Sequence, residues 1–326
     1  MFIKPISLGL ISLLLFLTLG CNNPEVWPLV DKKPEYKDYV TEGLKSYRES
    51  NINHRLRLCE YDYDKDYLNY GKTKFFRESD RMRFDKWGIP LVKYGEDFHY
   101  NPVTVSQYAL ALYGKYLDNH EFSQPFLDSV DRLILLQDSK GAFRYEFNWR
   151  YYLNGEIFEP GWVSGMAQGQ ALSVLARAYI ISGDEKYLNV GNKALDFLIT
   201  PVSDGGTMYT MKDLHPSLDN YIIFEEYLAE PASYTLNGFM FTLLGLYDWS
   251  MVAKGEDKVT AKYYFDEGIK TLKKILPYYD IGGISTYDLG YITYGAKPHV
   301  SATYHAVHIQ LLHALYAVTS EEVLHQ

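Results

Sequence analysis

The chain has 326 residues and a formal net charge of −9, with 47% hydrophobic and 22% charged residues. This balance is typical of a globular protein with a sizeable core, and the negative charge argues against a nucleic-acid-binding protein. Tyrosine is the outlier, with 31 copies. So many tyrosines indicate either a carbohydrate-binding cleft, where aromatic faces stack on sugar rings, or half-buried helix positions filled by phenol rings.

The first residues predict an export signal. "MFIKPISLGLISLLLFLTLGC" has a basic start at Lys4, an apolar segment and a small residue before Cys21. We expect residues 1–20 to be a lipoprotein signal peptide and Cys21 to carry a lipid. The lipid would anchor the protein in the cell envelope, outside the cytoplasmic membrane; an ordinary secreted protein is the alternative. Only Cys59 remains, so no disulfide framework is expected.

Residues 21–97 are predicted to form a tether followed by a small β-containing region. The stretch "KWGIPLVKYGEDFHY" combines glycine and proline with β-branched residues, which is typical of short strands and turns. Calcium binding in this part of the chain is left open. No other cofactor is expected.

Residues 98–326 are predicted to form a helical domain, because at least seven segments place apolar residues three and four positions apart. The segments 162–182 and 232–253 are apolar on nearly all sides, whereas 184–200 and 257–277 carry a charged stripe. This alternation of inner and outer helices predicts an α/α toroid, an incomplete α/α barrel around a central cleft. A plain helical bundle is the alternative.

Two polar groups stand out against the apolar helices. Gln168 and Gln170 lie among repeated glycines in an apolar helix, a pattern that suits either close helix packing or the approach of a ligand. Glu225 and Glu226 follow an apolar run and precede a helix predicted to begin at Pro231. Acids in such a place can be desolvated, which raises the carboxyl pKa towards working pH.

The stretch 281–308 is rich in tyrosine and histidine but has no cysteine, glutamate or arginine. His305 and His308 share a helix face without a third ligand nearby in sequence, so no metal site is predicted. If this stretch is a reaction site, its proton carriers are phenols such as Tyr287 and Tyr304. With a reference pKa near 10, a phenol is normally a proton donor at neutral pH.

Seven stretches follow in order between about residue 86 and residue 316: "FHYNPVTVSQYALALY", "GWVSGMAQGQALSVLARAY", "FEEY", "SYTLNGFMFTLLGLYD", "LPYYD", "TYDL" and "YHAVHI". Together they resemble the C-terminal domain of the glucuronyl C5-epimerase family, which processes heparosan and heparan-type chains. The resemblance implies an α/α-barrel catalytic domain. It also implies removal of the C5 proton of a D-glucuronate residue and its return on the opposite face, giving L-iduronate.

By this resemblance the catalytic residues are Glu226, Tyr227, Tyr287 and Tyr304. Glu226 and Tyr304 are expected to handle the C5 proton on the two ring faces, and Tyr287 to hold or protonate the substrate carboxylate. Further contacts with a uronate-containing polysaccharide are expected at Tyr100, Trp162, Gln168, Gln170, Asn237, Arg150 and His305.

One position departs from the family pattern. In the animal members an arginine follows "YDL", whereas this chain has Gly290. That arginine is a natural clamp for the substrate carboxylate, and Arg144, Arg150 and Lys297 are its candidate replacements here. The alternatives to an epimerase are a polysaccharide lyase, which begins with the same proton abstraction, and a glycan-binding lipoprotein without activity. A homodimer is left open.

Overall fold

The structure is a computed structural model that describes residues 60–72, 74–119 and 123–325, and the single positions 38, 41, 42 and 45. The predicted signal peptide, Cys21, most of the tether and Cys59 lie outside the described residues. Within the described part, every helix is too short or too polar to cross a membrane.

A three-stranded antiparallel sheet precedes the helices, as the sequence predicted. Its strands are β1 (Met82–Phe84), β2 (Pro90–Tyr94) and β3 (Asp97–His99). Val92 in the middle strand pairs with Met82 on one side and His99 on the other. The turn between β1 and β2 is stabilised by the Asp85 carboxylate, which accepts a hydrogen bond from the backbone N–H of Trp87.

Two smaller antiparallel sheets lie in the loops between helices. One pairs β4 (Trp149–Arg150) with β5 (Ile157–Phe158), and the other pairs β6 (Met208–Thr210) with β7 (Ile222–Phe224). β7 matters most for the site, because Glu225 and Glu226 follow it directly.

The helical periodicity of the sequence is confirmed, and the protein is mainly α. From residue 102 onwards the α-helices are α1 (Pro102–Asn119), α2 (Gln124–Ile134), α3 (Gly165–Ser182), α4 (Glu185–Leu198), α5 (Leu236–Val252), α6 (Gly255–Tyr279), the short α7 (Gly290–Thr293) and α8 (Ala302–Thr319). The predicted start of α5 at Pro231 is wrong by five residues. The chain stays irregular up to Thr235, and the N–H of Leu236 then donates to the carbonyl of Tyr287.

The inner helices α3 and α5 are buried on nearly all sides and pack directly against each other. Their backbones approach so closely that a Cβ at Gly245 would stand 2.0 Å from the carbonyl oxygen of Gly169. Gly169 therefore serves helix packing at this crossing, whereas Gly165 lies against the backbone of Phe224 and Glu225 at the end of β7. The charged stripes of α4 and α6 face outwards, because their apolar faces cover α3 and α5.

Neighbouring inner helices follow the order α1, α3, α5 and α8, while α2, α4 and α6 pack outside α1, α3 and α5. A 3₁₀ segment, Tyr67–Lys72, packs against α1 and contacts α8, where the Gln310 amide donates to the Leu68 carbonyl at 2.8 Å. This arrangement agrees with the predicted alternation of inner and outer helices. The toroid, an incomplete α/α barrel, stays a prediction.

A buried ion pair connects α3, α5 and the segment 60–72. The Arg177 guanidinium donates to the Asp248 carboxylate at 2.7 Å, and neither side chain is exposed. Arg177 also donates to the carbonyl of Asp62, and Tyr61 donates to Asp248. These bonds hold the segment 60–72 beside the inner helices, where Tyr70 reaches the cavity described next.

Candidate active site

A cavity of about 370 Å³ opens between the three-stranded sheet, the loops and the inner helices. Six of the predicted site residues line it: Trp162, Glu226, Tyr227, Asn237, Tyr287 and Tyr304. They come from four parts of the chain: the segment before α3, the end of β7, the first turn of α5 and the two sides of the loop that leads into α8. Residues that are up to 142 positions apart in sequence, Trp162 and Tyr304, thus share one cavity.

Glu226 is the acidic group of this cavity. It is 8% exposed, and the Tyr287 hydroxyl donates to its Oε1 at 3.2 Å. Burial raises the pKa of Glu226 to about 7, while hydrogen bonds from Tyr227 and Tyr287 act in the opposite direction. The carboxyl group is therefore close to half ionised at neutral pH, as a group that accepts and releases a proton should be.

Three tyrosines surround this carboxyl group. The hydroxyls of Tyr227 and Tyr287 lie 3.4 Å apart, and the ring centroids of Tyr287 and Tyr304 lie 4.3 Å apart. Burial, and next the charge of Glu226, raise the pKa of each of the three phenols above the ordinary value. All three therefore keep their protons at neutral pH and can donate them.

The backbone fixes the position of Tyr287. Its N–H donates to the carbonyl of His299 at 2.8 Å, and its carbonyl accepts from the N–H of Leu236 at 3.0 Å. Tyr304 stands on the first turn of α8, which Ser301 caps by accepting from its N–H. Both phenols are thus placed by ordered backbone.

Aromatic side chains form the walls of the cavity. Trp162 stacks on Tyr145 with ring centroids 3.8 Å apart, and its indole N–H donates to the carbonyl of Phe147 at 3.0 Å. Tyr94 stacks on Phe147 at 3.7 Å. Asn237 adds a polar group to these walls, since the residue is 4% exposed and its Oδ1 accepts no hydrogen bond from the residues that the structure describes. Flat apolar walls with a few polar groups suit a sugar ring.

The two glutamines predicted to bind substrate do not line this cavity. The Gln168 Oε1 accepts from the N–H of Phe143 at 2.7 Å, and its Nε2 donates to the carbonyl of Gly141 at 2.9 Å. Its amide therefore fastens the loop before α3 and is not available to a ligand. Gln170 is fully buried in α3, and its amide makes no hydrogen bond within the described part of the chain.

Tyr100 and Arg150 also lie outside the cavity lining. The Tyr100 hydroxyl donates to the Asp85 carboxylate and so stabilises the β1–β2 turn. Arg150 is exposed on β4 and stands next to Gly155 of the same hairpin. The predicted contacts of these two side chains with a substrate in this cavity are not supported by their positions.

His305 points into a second cavity, of about 570 Å³, on the other side of α8 from Tyr304. Its Nδ1 accepts from the backbone N–H of Ser285 at 3.1 Å, and the Ser285 hydroxyl lies 2.7 Å from Nδ1 of His308. Burial lowers the pKa of both imidazoles. Among the residues that the structure describes, no cluster of three or more His, Cys, Asp or Glu side chains could hold a metal ion.

Sequence reasoning missed one wall of the main cavity. Tyr145, Phe147 and Trp149 all line it, and they alternate along an extended segment so that one face points inwards. A period of two is the signal that could have found them. It also missed a pair of polar side chains beside Tyr287. The Tyr152 hydroxyl donates to the Asp288 carboxylate at 2.7 Å.

Fold and site together define a mainly α protein with a buried carboxyl group among tyrosines in an aromatic cleft. The family described as "D-glucuronyl C5-epimerase C-terminus" matches residues 137–326, and the chain belongs to this family.

Two proteins are similar to this chain in sequence. A D-glucuronyl C5-epimerase of Caenorhabditis elegans is 34% identical over 214 residues, which cover 63% of this chain and 34% of the relative. An uncharacterized protein of Methanocaldococcus jannaschii is 28% identical over 236 residues, which cover 66% of this chain and 75% of that protein. The chain thus spans about a third of the length of the nematode epimerase.

Proposed function

We propose that this protein is a uronyl C5-epimerase that converts D-glucuronate into L-iduronate residues within a heparosan-like polysaccharide. The observation that carries the proposal is the Tyr287 hydroxyl 3.2 Å from the Glu226 carboxyl, with Tyr227 and Tyr304 beside them in one aromatic cavity. Membership of the epimerase family supports it. The same arrangement provides the proton acceptor and the proton donors that the reaction needs.

The chemistry begins at a carbon next to a carboxylate. Breaking the C5–H bond sends the proton to a base and leaves the electron pair on the substrate, where it adds to the charge of the carboxylate. Hydrogen-bond donors must offset that charge. A second group on the opposite face then supplies a proton to C5, so that one C–H bond breaks and one forms without any redox change.

We assign the acceptor role to Glu226 and the donor role to Tyr304. The pKa of Glu226, about 7, keeps an ionised fraction available at neutral pH, whereas the raised pKa of Tyr304 keeps its phenol protonated. Tyr287, which already donates to Glu226, is placed to hold the substrate carboxylate when the sugar enters. The reaction as written uses no cofactor.

Heavy water provides the test. The purified protein is incubated with unsulfated heparosan in D₂O, and the sugar is followed by NMR, with Glu226→Gln as the inactive control. Deuterium at C5 together with iduronate signals and intact chains is the expected result. Unsaturated chain ends would identify a polysaccharide lyase instead. Absence of both would contradict the proposal and favour a glycan-binding protein.

We also propose that the chain acts at the cell envelope, tethered through a lipid on Cys21 after removal of residues 1–20. The support is the sequence of this segment alone, because it lies outside the described residues. Metabolic labelling with a radioactive fatty acid should mark the expressed protein. A Cys21→Ser variant should take up no label and appear in a soluble fraction.

A further inference from the structure

The cavity needs a partner for the negative charge of a uronate. Among the described residues that line it there is no lysine, arginine or histidine, and its one carboxyl group, Glu226, repels an anion when ionised. Position 290 cannot contribute, because glycine has no side chain. A larger residue there would be crowded, since its Cβ would stand 2.7 Å from the side chain of Leu153 and 2.8 Å from that of Asp288. A basic side chain that adds to the hydrogen bond from Tyr287 would have to reach the substrate from outside this lining.

Arg144 and Arg150 do not meet this need. The Arg144 guanidinium already donates to the Asp138 carboxylate at 2.6 Å and to the carbonyl of Gly161 at 2.6 Å. Arg150 is exposed beside Gly155 and away from the cavity lining.

His299 stands at the rim of the cavity, next to the tyrosines that do line it. Its imidazole centroid is 4.9 Å from the ring centroid of Tyr287 and 6.1 Å from that of Tyr304. Its side chain is 40% exposed. The backbone adds to this link, because the N–H of Tyr287 donates to the His299 carbonyl at 2.8 Å. The imidazole is therefore both close to the reacting groups and open to a ligand.

A buried carboxylate lies beside this imidazole. Asp288 Oδ2 lies 3.5 Å from His299 Nδ1, and Asp288 is held by the N–H of Gly290 at 2.7 Å and the hydroxyl of Tyr152 at 2.7 Å. The titratable groups that face the imidazole are thus Asp288, Tyr152 and the two tyrosines of the cavity. Nδ1 is buried and makes no hydrogen bond to the described residues, whereas the side chain as a whole is 40% exposed, so Nε2 is the ring nitrogen that a ligand can reach.

We propose that His299, as an imidazolium, donates from its Nε2–H to the carboxylate of the substrate uronate and so takes the place of the arginine that position 290 does not supply. The identity of the ligand rests on the proposed function. The contact would hold the carboxylate beside Tyr287 and bring C5 between Glu226 and Tyr304. The N–H of Gly290 also contributes, because it fixes the carboxylate that lies beside the imidazole.

The test is direct binding and needs no turnover. The affinities of two ligands are measured by calorimetry: a heparosan oligosaccharide, and the same oligosaccharide with its carboxyl groups reduced to alcohols. His299→Ala is compared with the unsubstituted protein and with His313→Ala, a histidine of the second cavity. We expect His299→Ala to bind the uronate oligosaccharide about tenfold more weakly or worse, the loss typical of a charge-assisted hydrogen bond.

The other measurements show whether weaker binding by His299→Ala comes from the lost carboxylate contact. Binding of the carboxyl-reduced oligosaccharide should not change in His299→Ala, and His313→Ala should bind both ligands normally. Unchanged uronate binding in His299→Ala, or an equal loss for both ligands, would overturn the inference. If the unsubstituted protein binds the uronate oligosaccharide through His299 but never exchanges C5–H, the proposed reaction fails and the carboxylate contact stands. Binding of neither ligand to the unsubstituted protein would overturn both.

Discussion

The carboxyl group of Glu226 lies against Gly238, on the first turn of α5. A Cβ at Gly238 would stand 2.3 Å from Oε2 of Glu226, closer than two non-bonded heavy atoms can approach. β7 delivers the glutamate and α5 delivers the glycine, so the carboxyl position depends on how these two elements pack. The missing side chain at position 238 is what leaves room for the acid.

Gly238→Ala should therefore reduce activity while the protein stays folded. The added methyl group would push the Glu226 side chain out of place, and a displacement of about 1 Å can cost on the order of 100-fold in rate. Gly268→Ala is the matched control, because its Cβ would stand 2.2 Å from the tip of the Leu243 side chain, a clash of similar size between residues that do not line the cavity. The measurement is the rate of deuterium entry at C5. Equal rates in the two variants would contradict this account of the site.

The rate of C5 exchange should depend on pH through Glu226. Its raised pKa, about 7, means that the carboxyl group is largely protonated at pH 5.5 and largely ionised at pH 8.5. As the proton acceptor it must be ionised, so the rate should rise through pH 7 and then level off. Glu226→Gln should abolish exchange at every pH. A rate that is flat from pH 5.5 to 8.5 would count against the acceptor role.

Tyr304→Phe should separate exchange from inversion. Glu226 can still remove and return a proton on its own face, so glucuronate should acquire deuterium with its configuration retained. Iduronate formation should fall by about 10² to 10⁴-fold, the range typical of a lost acid or base. NMR in D₂O distinguishes the two products, and Tyr263→Phe, exposed on α6, is the control. Normal iduronate formation in Tyr304→Phe would remove the phenol from the donor role.

Much of the site could be predicted because its residues occur in an ordered series of stretches that resembles a known family. The four proposed catalytic residues were named from short stretches, and all four line one cavity. The sequence alone does not show in which direction a side chain points. Neighbours on a helix point about 100° apart, so Tyr304 faces the main cavity while His305 faces the second one.

Gln168 illustrates a different limit. A polar amide in an apolar helix has the same sequence pattern whether it binds a ligand or fastens a loop. Here the loop before α3 occupies both ends of the amide, through Phe143 and Gly141. The partners lie more than 20 residues away, and only the packed structure shows that they meet.

The stability of the protein should also depend on pH through Glu225, which is 2% exposed and does not line the cavity. Burial raises its pKa from 4.5 to about 8, and neither carboxyl oxygen accepts a hydrogen bond from the described residues. The unfolded chain loses this proton near pH 4.5, whereas the folded protein keeps it until about pH 8. The contribution of Glu225 to folding stability is therefore fully present below pH 4.5 and is lost as the pH rises from 4.5 to 8.

Glu225→Gln should remove this contribution, because a neutral amide has no proton to lose. The free energy of unfolding of the variant, relative to the unsubstituted protein, should rise by several kcal/mol between pH 5 and pH 9, since one pKa unit corresponds to about 1.4 kcal/mol. Urea unfolding at the two pH values measures it. Glu256→Gln, exposed at the start of α6, should show a constant difference. The same constancy in Glu225→Gln would mean that this carboxyl group ionises at an ordinary pH in the folded protein.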